Sequence, residues 1–184
     1  MNKKDIDYII NDYKKRRIKY PDYSLKDCEA ANNLQHAIEM AATARNLAGR
    51  KHPHQFRIPN SILQDFAQAV ISIQREIAQA TSFHLLYKLI DKCRIKGVSD
   101  LTIYDTAHRI GCFLKLFPEE IYLHSGTRKG AEILIGKIKG KTISVDQLPL
   151  PFQNGLSPSE LEDMLCMYKT SLRSPLTNQT VSKC

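Results

Sequence analysis

The sequence predicts an all-α protein, and three observations lead there. Apolar residues recur at three- and four-residue spacing along most of the 184-residue chain. Ser, Thr or Asn stands ahead of these stripes, and Gly or Pro closes them. No stretch alternates convincingly with period two, although KTISV (141–145) admits a short extended piece. With no internal repeat, the pattern gives a compact bundle of about seven helices.

Each helix has its own signals. Ile6, Ile9, Ile10 and Tyr13 form one apolar stripe, followed by the basic run Lys14 to Arg17. Tyr20-Pro21 ends it, because the residue before proline disfavours the helical region. A second helix runs from about Ser24, with Ala30, Leu34, Ala37, Ala41 and Ala44 on one face and Gly49 closing it. The loop 51–59 is punctuated by two prolines. Asn60 or Ser61 caps a third helix carrying Leu63, Phe66, Val70, Ile73 and Ile77. Thr81-Ser82 starts a fourth with Leu86, Leu89, Ile90 and Cys93. Lys96 to Asp100 breaks the chain before a fifth helix with Ile103, Ala107, Ile110 and Leu114. Beyond Pro118 a sixth buries Ala131, Leu134, Ile135 and Ile138 and stops at Gly140. The last begins at Ser157-Pro-Ser-Glu160, a capping box with proline at the first helical position, and carries Leu161, Met164, Leu165 and Tyr168.

The length fits a single all-α domain over 1–170, with an N-terminal helical arm at 1–20 and a mobile tail at 171–184, where apolar residues are few. Such a chain buries about 70% of the surface it exposes unfolded. No apolar run reaches membrane-spanning length, and the charged N-terminus lacks the apolar core of a signal peptide, which predicts a cytoplasmic protein without a membrane partner. Five scattered cysteines with no CxxC pair predict reduced thiols that pack as small apolar residues. No cofactor is expected: GxxxxGK[ST], GxSxG and HExxH are all missing. His52-Pro-His54 is half of a metal site, but no second His or Cys pair has matching spacing. A loop of solvated histidines is the expectation there, and metal ligands: none.

The net charge of +8, from 27 basic and 19 acidic residues, fits a polyanionic partner such as nucleic acid, whose phosphates reward Lys and Arg. A basic surface with no partner accounts for it as well. The region 83–135 is the most informative. Two predicted helices flank the tight turn 95–100, IKGVSD, an arrangement that presents backbone N–H groups outward. Gly97 permits a left-handed backbone, Ser99 or Asp100 caps the next helix, and Lys96 adds charge.

The stretch Ile95-Lys-Gly-Val-Ser-Asp-Leu-Thr102, with Tyr122-Leu-His124 about twenty residues on, resembles the helix-hairpin-helix DNA glycosylase superfamily. The family's hairpin reads roughly Leu-Pro-Gly-Val-Gly-x-Lys-Thr-Ala, followed by Val-Asp-x-His with a catalytic aspartate. The likeness covers about residues 83–135 and is degenerate. Lys96 stands at the hairpin proline, Ser99 at the second glycine, Leu101 at the lysine nucleophile of bifunctional members and Tyr122 at the aspartate. Only His124 remains of Val-Asp-x-His. The resemblance thus implies a hairpin that docks DNA without the machinery of base excision.

The segment Tyr122-Leu-His-Ser-Gly-Thr-Arg-Lys-Gly130 opens a predicted helix. Ser125 or Thr127 caps it, Gly126 brings the backbone close, and Arg128 and Lys129 fall in the first turn. Cations there oppose the helix dipole, so an anion site and a solvated basic helix start are both open readings. The leading expectation is a non-catalytic protein that docks double-stranded DNA phosphates through Lys96, Gly97, Ser99, Thr102, His124, Gly126, Thr127, Arg128 and Lys129. The alternatives are a DNA repair enzyme, a glycosylase or lyase, whose acid has moved to Glu119, Glu120 or Asp105, and a protein–protein interaction module. Glu119 and Glu120 also fit a simple helix-start role.

Overall fold

The computed structural model describes residues 3–173; residues 1–2 and 174–184, most of the expected tail, lie outside it. Ten α-helices and one two-stranded sheet make up the described residues, so the all-α class holds. Their contacts gather into two compact units within the stretch read as one domain. One is continuous, residues 22–119; the other is split, residues 3–21 and 120–173.

The first helix, α1 (Lys3–Lys19), belongs to the split unit. The continuous unit holds α2 (Tyr23–Glu29), α3 (Leu34–Thr43), α4 (Asn60–Ser72), α5 (Gln74–Ala78), α6 (Phe83–Lys92) and α7 (Asp100–Leu114). Two expected helices are each divided. The helix read from Ser24 to Gly49 breaks because the Asn33 carboxamide accepts the His36 N–H and starts α3 afresh. It ends early, with Ala44 left-handed at φ 54°. The helix read through Ile77 pauses at Ile73, whose φ of −109° separates α4 from α5.

Helix α7 organises this unit, packing against α2, α3 and α6. Ser99 accepts the Thr102 N–H at 3.2 Å and starts it, and Lys115, left-handed at φ 59°, ends it. Its Ile103, Ala107 and Ile110 are fully enclosed, as are Phe66, Phe83 and Ile90 on the neighbouring helices. Each large side chain so buried contributes about 1.5–3 kcal/mol relative to exposure.

The split unit adds β1 (Ile121–Tyr122), α8 (Ser125–Ile135), β2 (Thr142–Ile143), α9 (Leu150–Gln153) and α10 (Pro158–Tyr168) to α1. The strands pair antiparallel, Ile121 opposite Ile143 and Tyr122 opposite Thr142. The piece suggested by KTISV therefore exists, and Tyr122 lies in a strand ahead of the helix that its segment opens. Gly136 at φ 80°, not Gly140, closes α8. The stripe Ile6, Ile9, Ile10 and Tyr13 packs with Phe152, Leu161, Met164 and Leu165 in one core. The Ser157–Glu160 capping box forms as read. Ser171–Arg173 makes a further helical turn with Leu172 buried, so the ordered chain runs past 170.

The two glycines of α8 lie one turn apart on the face that meets α10. A methyl carbon added at Gly130 would sit 2.2 Å from the Leu165 carbonyl oxygen, and one at Gly126 would sit 2.3 Å from the Cys166 sulfur. The two helices approach closely because neither position carries a side chain. Gly130→Ala meets backbone and is expected to cost about 1–3 kcal/mol in urea unfolding. Gly126→Ala meets only a sulfur, so adding Cys166→Ala is expected to recover much of its cost, whereas it recovers none of the cost of Gly130→Ala.

Candidate functional site

In the split unit, the residues of the basic helix start are drawn inward. His124 holds the position before the first turn of α8, with extended backbone and no side-chain cap, so neither Ser125 nor Thr127 serves as the cap. Thr127 is fully buried and donates to Glu162 Oε1 at 2.6 Å. Arg128 donates to the carbonyls of Ile138 at 3.1 Å and Gly140 at 2.5 Å. Its guanidinium thus fastens the loop that leads into β2, and those acceptors offset its unfavourable place in the helix field. Gly126 faces Cys166. Of this group Ser125 and Lys129 are exposed. In the basic run of α1, Arg16 pairs with Asp12 at 3.0 Å and Arg17 with Asp163 at 3.6 Å.

In the continuous unit, α6 and α7 pack as a helical hairpin across the turn 93–99. Gly97 has φ 95°, a conformation costly for other residues, and an added methyl there would meet Ile62 at 2.9 Å. Lys96, Gly97 and Ser99 are exposed, while Val98 and Thr102 are buried. Arg94 ties the turn down, bridging Asp91 and Asp100, each at 2.5 Å. The hairpin residues and the 124–130 segment therefore fall in different units.

A second constellation in the continuous unit joins residues that the sequence leaves scattered. Arg109 on α7 is only 3% exposed. Its guanidinium donates to Ser24 Oγ at 3.2 Å, the Ala41 carbonyl at 3.4 Å and Gln55 Oε1 at 3.3 Å, and lies 3.8 Å from Asp105 Oδ2. Asp105, one helical turn earlier, also meets His54 Nδ1 at 2.9 Å and accepts from Gln55 Nε2 at 2.7 Å. His54 and Gln55 come from the short helical turn Pro53–Gln55, whose start His52 caps by accepting the His54 N–H at 3.3 Å. His52 Nε2 lies 3.9 Å from Asp22 Oδ2, and Asp22 accepts from the Ser24 backbone and hydroxyl.

The charges in this cluster are fixed by one another. Burial works to raise the Asp105 carboxyl, but the His54 contact, the Arg109 charge and the Gln55 hydrogen bond outweigh it and hold it down to about 2. At Asp22 burial likewise opposes, and Ser24, His52 and Arg109 prevail to lower it. Burial lowers His52, helped by Arg109. Asp105 is thus an ionised carboxylate enclosed among donors. Glu119 and Glu120 are exposed residues of the connection between α7 and β1. Burial pushes the Cys28 thiol up to about 12 and Cys112 to about 11, which suits inert packing residues. Cys184 lies outside the described residues.

The sequence pattern predicts solvated histidines at 52 and 54 and offers Asp105 as a candidate relocated acid. The structure instead places both histidines against carboxylates, and Arg109, Gln55 and Asp22 were not singled out. One signal was present: Asp105 and Arg109, of opposite charge, are four apart on one helix. Comparison of the chain with protein-family models, curated proteins and solved structures gives no match.

Removing one partner of the buried pair strands the other. Arg109→Met is expected to destabilise the protein by about 3–5 kcal/mol, with part regained in the double variant Arg109→Met/Asp105→Asn, read by urea unfolding. Because the folded Asp105 carboxyl lies below its ordinary 3.8, its contribution is full above that pH and is lost as pH falls through about 2. Asp105→Asn is therefore expected to flatten the acid limb of the stability profile.

Proposed function

We propose that this protein binds nucleic acid without catalysis, docking duplex DNA phosphates on the exposed turn between α6 and α7. The observation that carries this reading is the combination at that turn: a left-handed Gly97 between two packed helices, with Lys96 exposed beside it. Among the described residues no carboxylate pairs with Lys96, and the same holds for Lys129 at the exposed start of α8 in the other unit. The chain's +8 charge supplies long-range attraction, and the likeness of 95–102 to a helix-hairpin-helix element favours the phosphate backbone as the surface met.

Contacts of this kind position a protein on DNA without reading its sequence. The docking residues are Lys96 and the backbone around Gly97 and Ser99, with Lys129 as a separate basic contact. Thr102, Thr127 and Arg128 serve this reading indirectly, by shaping the helix starts that display those groups. A non-catalytic role agrees with Asp105 being tied to His54, Gln55 and Arg109.

Fluorescence anisotropy with a labelled duplex is expected to give affinity that falls steeply with salt and changes little with sequence. Lys96→Glu is expected to weaken binding to all duplexes alike and to reduce the slope of log K against log salt by about 1. Binding that is insensitive to salt, or unchanged in Lys96→Glu/Lys129→Glu, rejects the reading.

A further inference from the structure

We propose that His52, His54 and Asp105 form a binding site for one divalent transition-metal ion, with zinc the best match to the donors. Each residue offers one ligand atom, and these atoms all lie within 4.8 Å of one another. His54 Nδ1 and Asp105 Oδ2 are 2.9 Å apart. Two ligands of a tetrahedral zinc, each about 2.0–2.2 Å from the metal, stand roughly 3.3 Å from one another. An ion can therefore replace the proton they share with only a small opening of the pair.

The chain holds the two imidazoles ready. Pro53 between them fixes its own φ, and the helical turn it starts sets the rings edge to face, centroids 4.7 Å apart. His52 turns Nδ1 toward His54 and Nε2 toward Asp22. Coordination through His52 Nδ1 gives up the long hydrogen bond that this atom accepts from the His54 N–H. It leaves Nε2 3.9 Å from the Asp22 carboxylate, close enough for the carboxylate–histidine–metal arrangement that orients a ligand to form as the ring settles. Gln55 does the same for Asp105, donating to its carboxylate while accepting from Arg109.

Arg109 is the obvious objection, a cation 3.8 Å from a proposed ligand. Its charge is already more than matched. With neutral imidazoles, Asp22, Asp105 and Arg109 together leave one net negative charge, and Arg109 has further acceptors in Ser24 and the Ala41 carbonyl. Two imidazoles and one carboxylate suit borderline ions such as Zn²⁺. Mg²⁺ and Ca²⁺ favour sites made of oxygen. Three protein ligands also leave a coordination position open to water or to an exchangeable group. The inference is independent of nucleic-acid binding.

The test is titration of the full chain with Zn²⁺ by calorimetry, and with Co²⁺ by visible absorption. One ion per chain is expected, with a cobalt spectrum of nitrogen and oxygen ligation lacking thiolate charge-transfer bands. His54→Ala removes a half-exposed ring and leaves the buried network, so it should stay folded by circular dichroism. It is expected to weaken binding about 100-fold, and Gln55→Leu about 10-fold. Failure to bind Zn²⁺ overturns the proposal. So does a cobalt spectrum dominated by thiolate, or Zn²⁺ affinity unchanged in His54→Ala and Asp105→Asn.

Discussion

A single buried guanidinium constrains the continuous unit more than any apolar contact does. Arg109 extends from the central helix α7 to Ser24 in α2, to the end of α3 and to the loop turn that carries Gln55. Taking such a charge out of water costs several kcal/mol, and only a complete set of acceptors with a nearby carboxylate offsets it. Asp105 supplies that carboxylate and in turn fixes His54 and Gln55. The loop 51–59, which has only a three-residue helical turn within it, is thereby held to the helices by side-chain hydrogen bonds. A hydrophobic contact tolerates small slides of one helix over another, whereas a forked donor with three separate acceptors does not. The network therefore specifies where the loop lies as well as stabilising it.

The basic helix start is governed by packing of a different kind. Gly126 and Gly130 let α8 lie close on α10, and Thr127 and Arg128 spend their donors on Glu162 and on the loop before β2. Residue types that suit a phosphate cradle also suit a tight helix crossing, because both need small residues and directed donors. At Gly97 both demands meet on an exposed turn: the backbone is left-handed and Ile62 packs beneath it, yet Lys96 faces outward.

The helical class was legible because burial follows the 3.6-residue period closely. Every member of the stripe Ile6, Ile9, Ile10 and Tyr13 is buried, and so are Leu63, Phe66 and Val70. Breaks were harder to read. The apolar stripe continues past Asn33 and Ile73, so periodicity alone misses the local capping and dihedral changes that divide those helices. The strand pair was only half visible, since two residues per strand are too few to alternate. The polar cluster was illegible as a cluster. Its members lie up to 87 positions apart, Asp22 to Arg109, and beyond the four-residue spacing of Asp105 and Arg109 nothing local marks them as neighbours. His52 and His54 stood out as a pair because only Pro53 separates them in the chain. Their partner Asp105 depends on tertiary packing that composition and spacing do not encode.

The split unit has a consequence for how the protein is made. The apolar face of α1 leaves the ribosome well before its packing partners, Phe152, Leu161, Met164 and Leu165. At about 5–20 residues per second, the stripe of Ile6, Ile9, Ile10 and Tyr13 waits on the order of 10 s for its core to arrive. During that interval the continuous unit 22–119 has all of its own residues and can close around Arg109. At that stage the nascent chain holds every residue of the continuous unit but only the first helix of the split one. The basic residues of Lys14 to Arg17 at the end of that helix keep the waiting segment charged and hydrated.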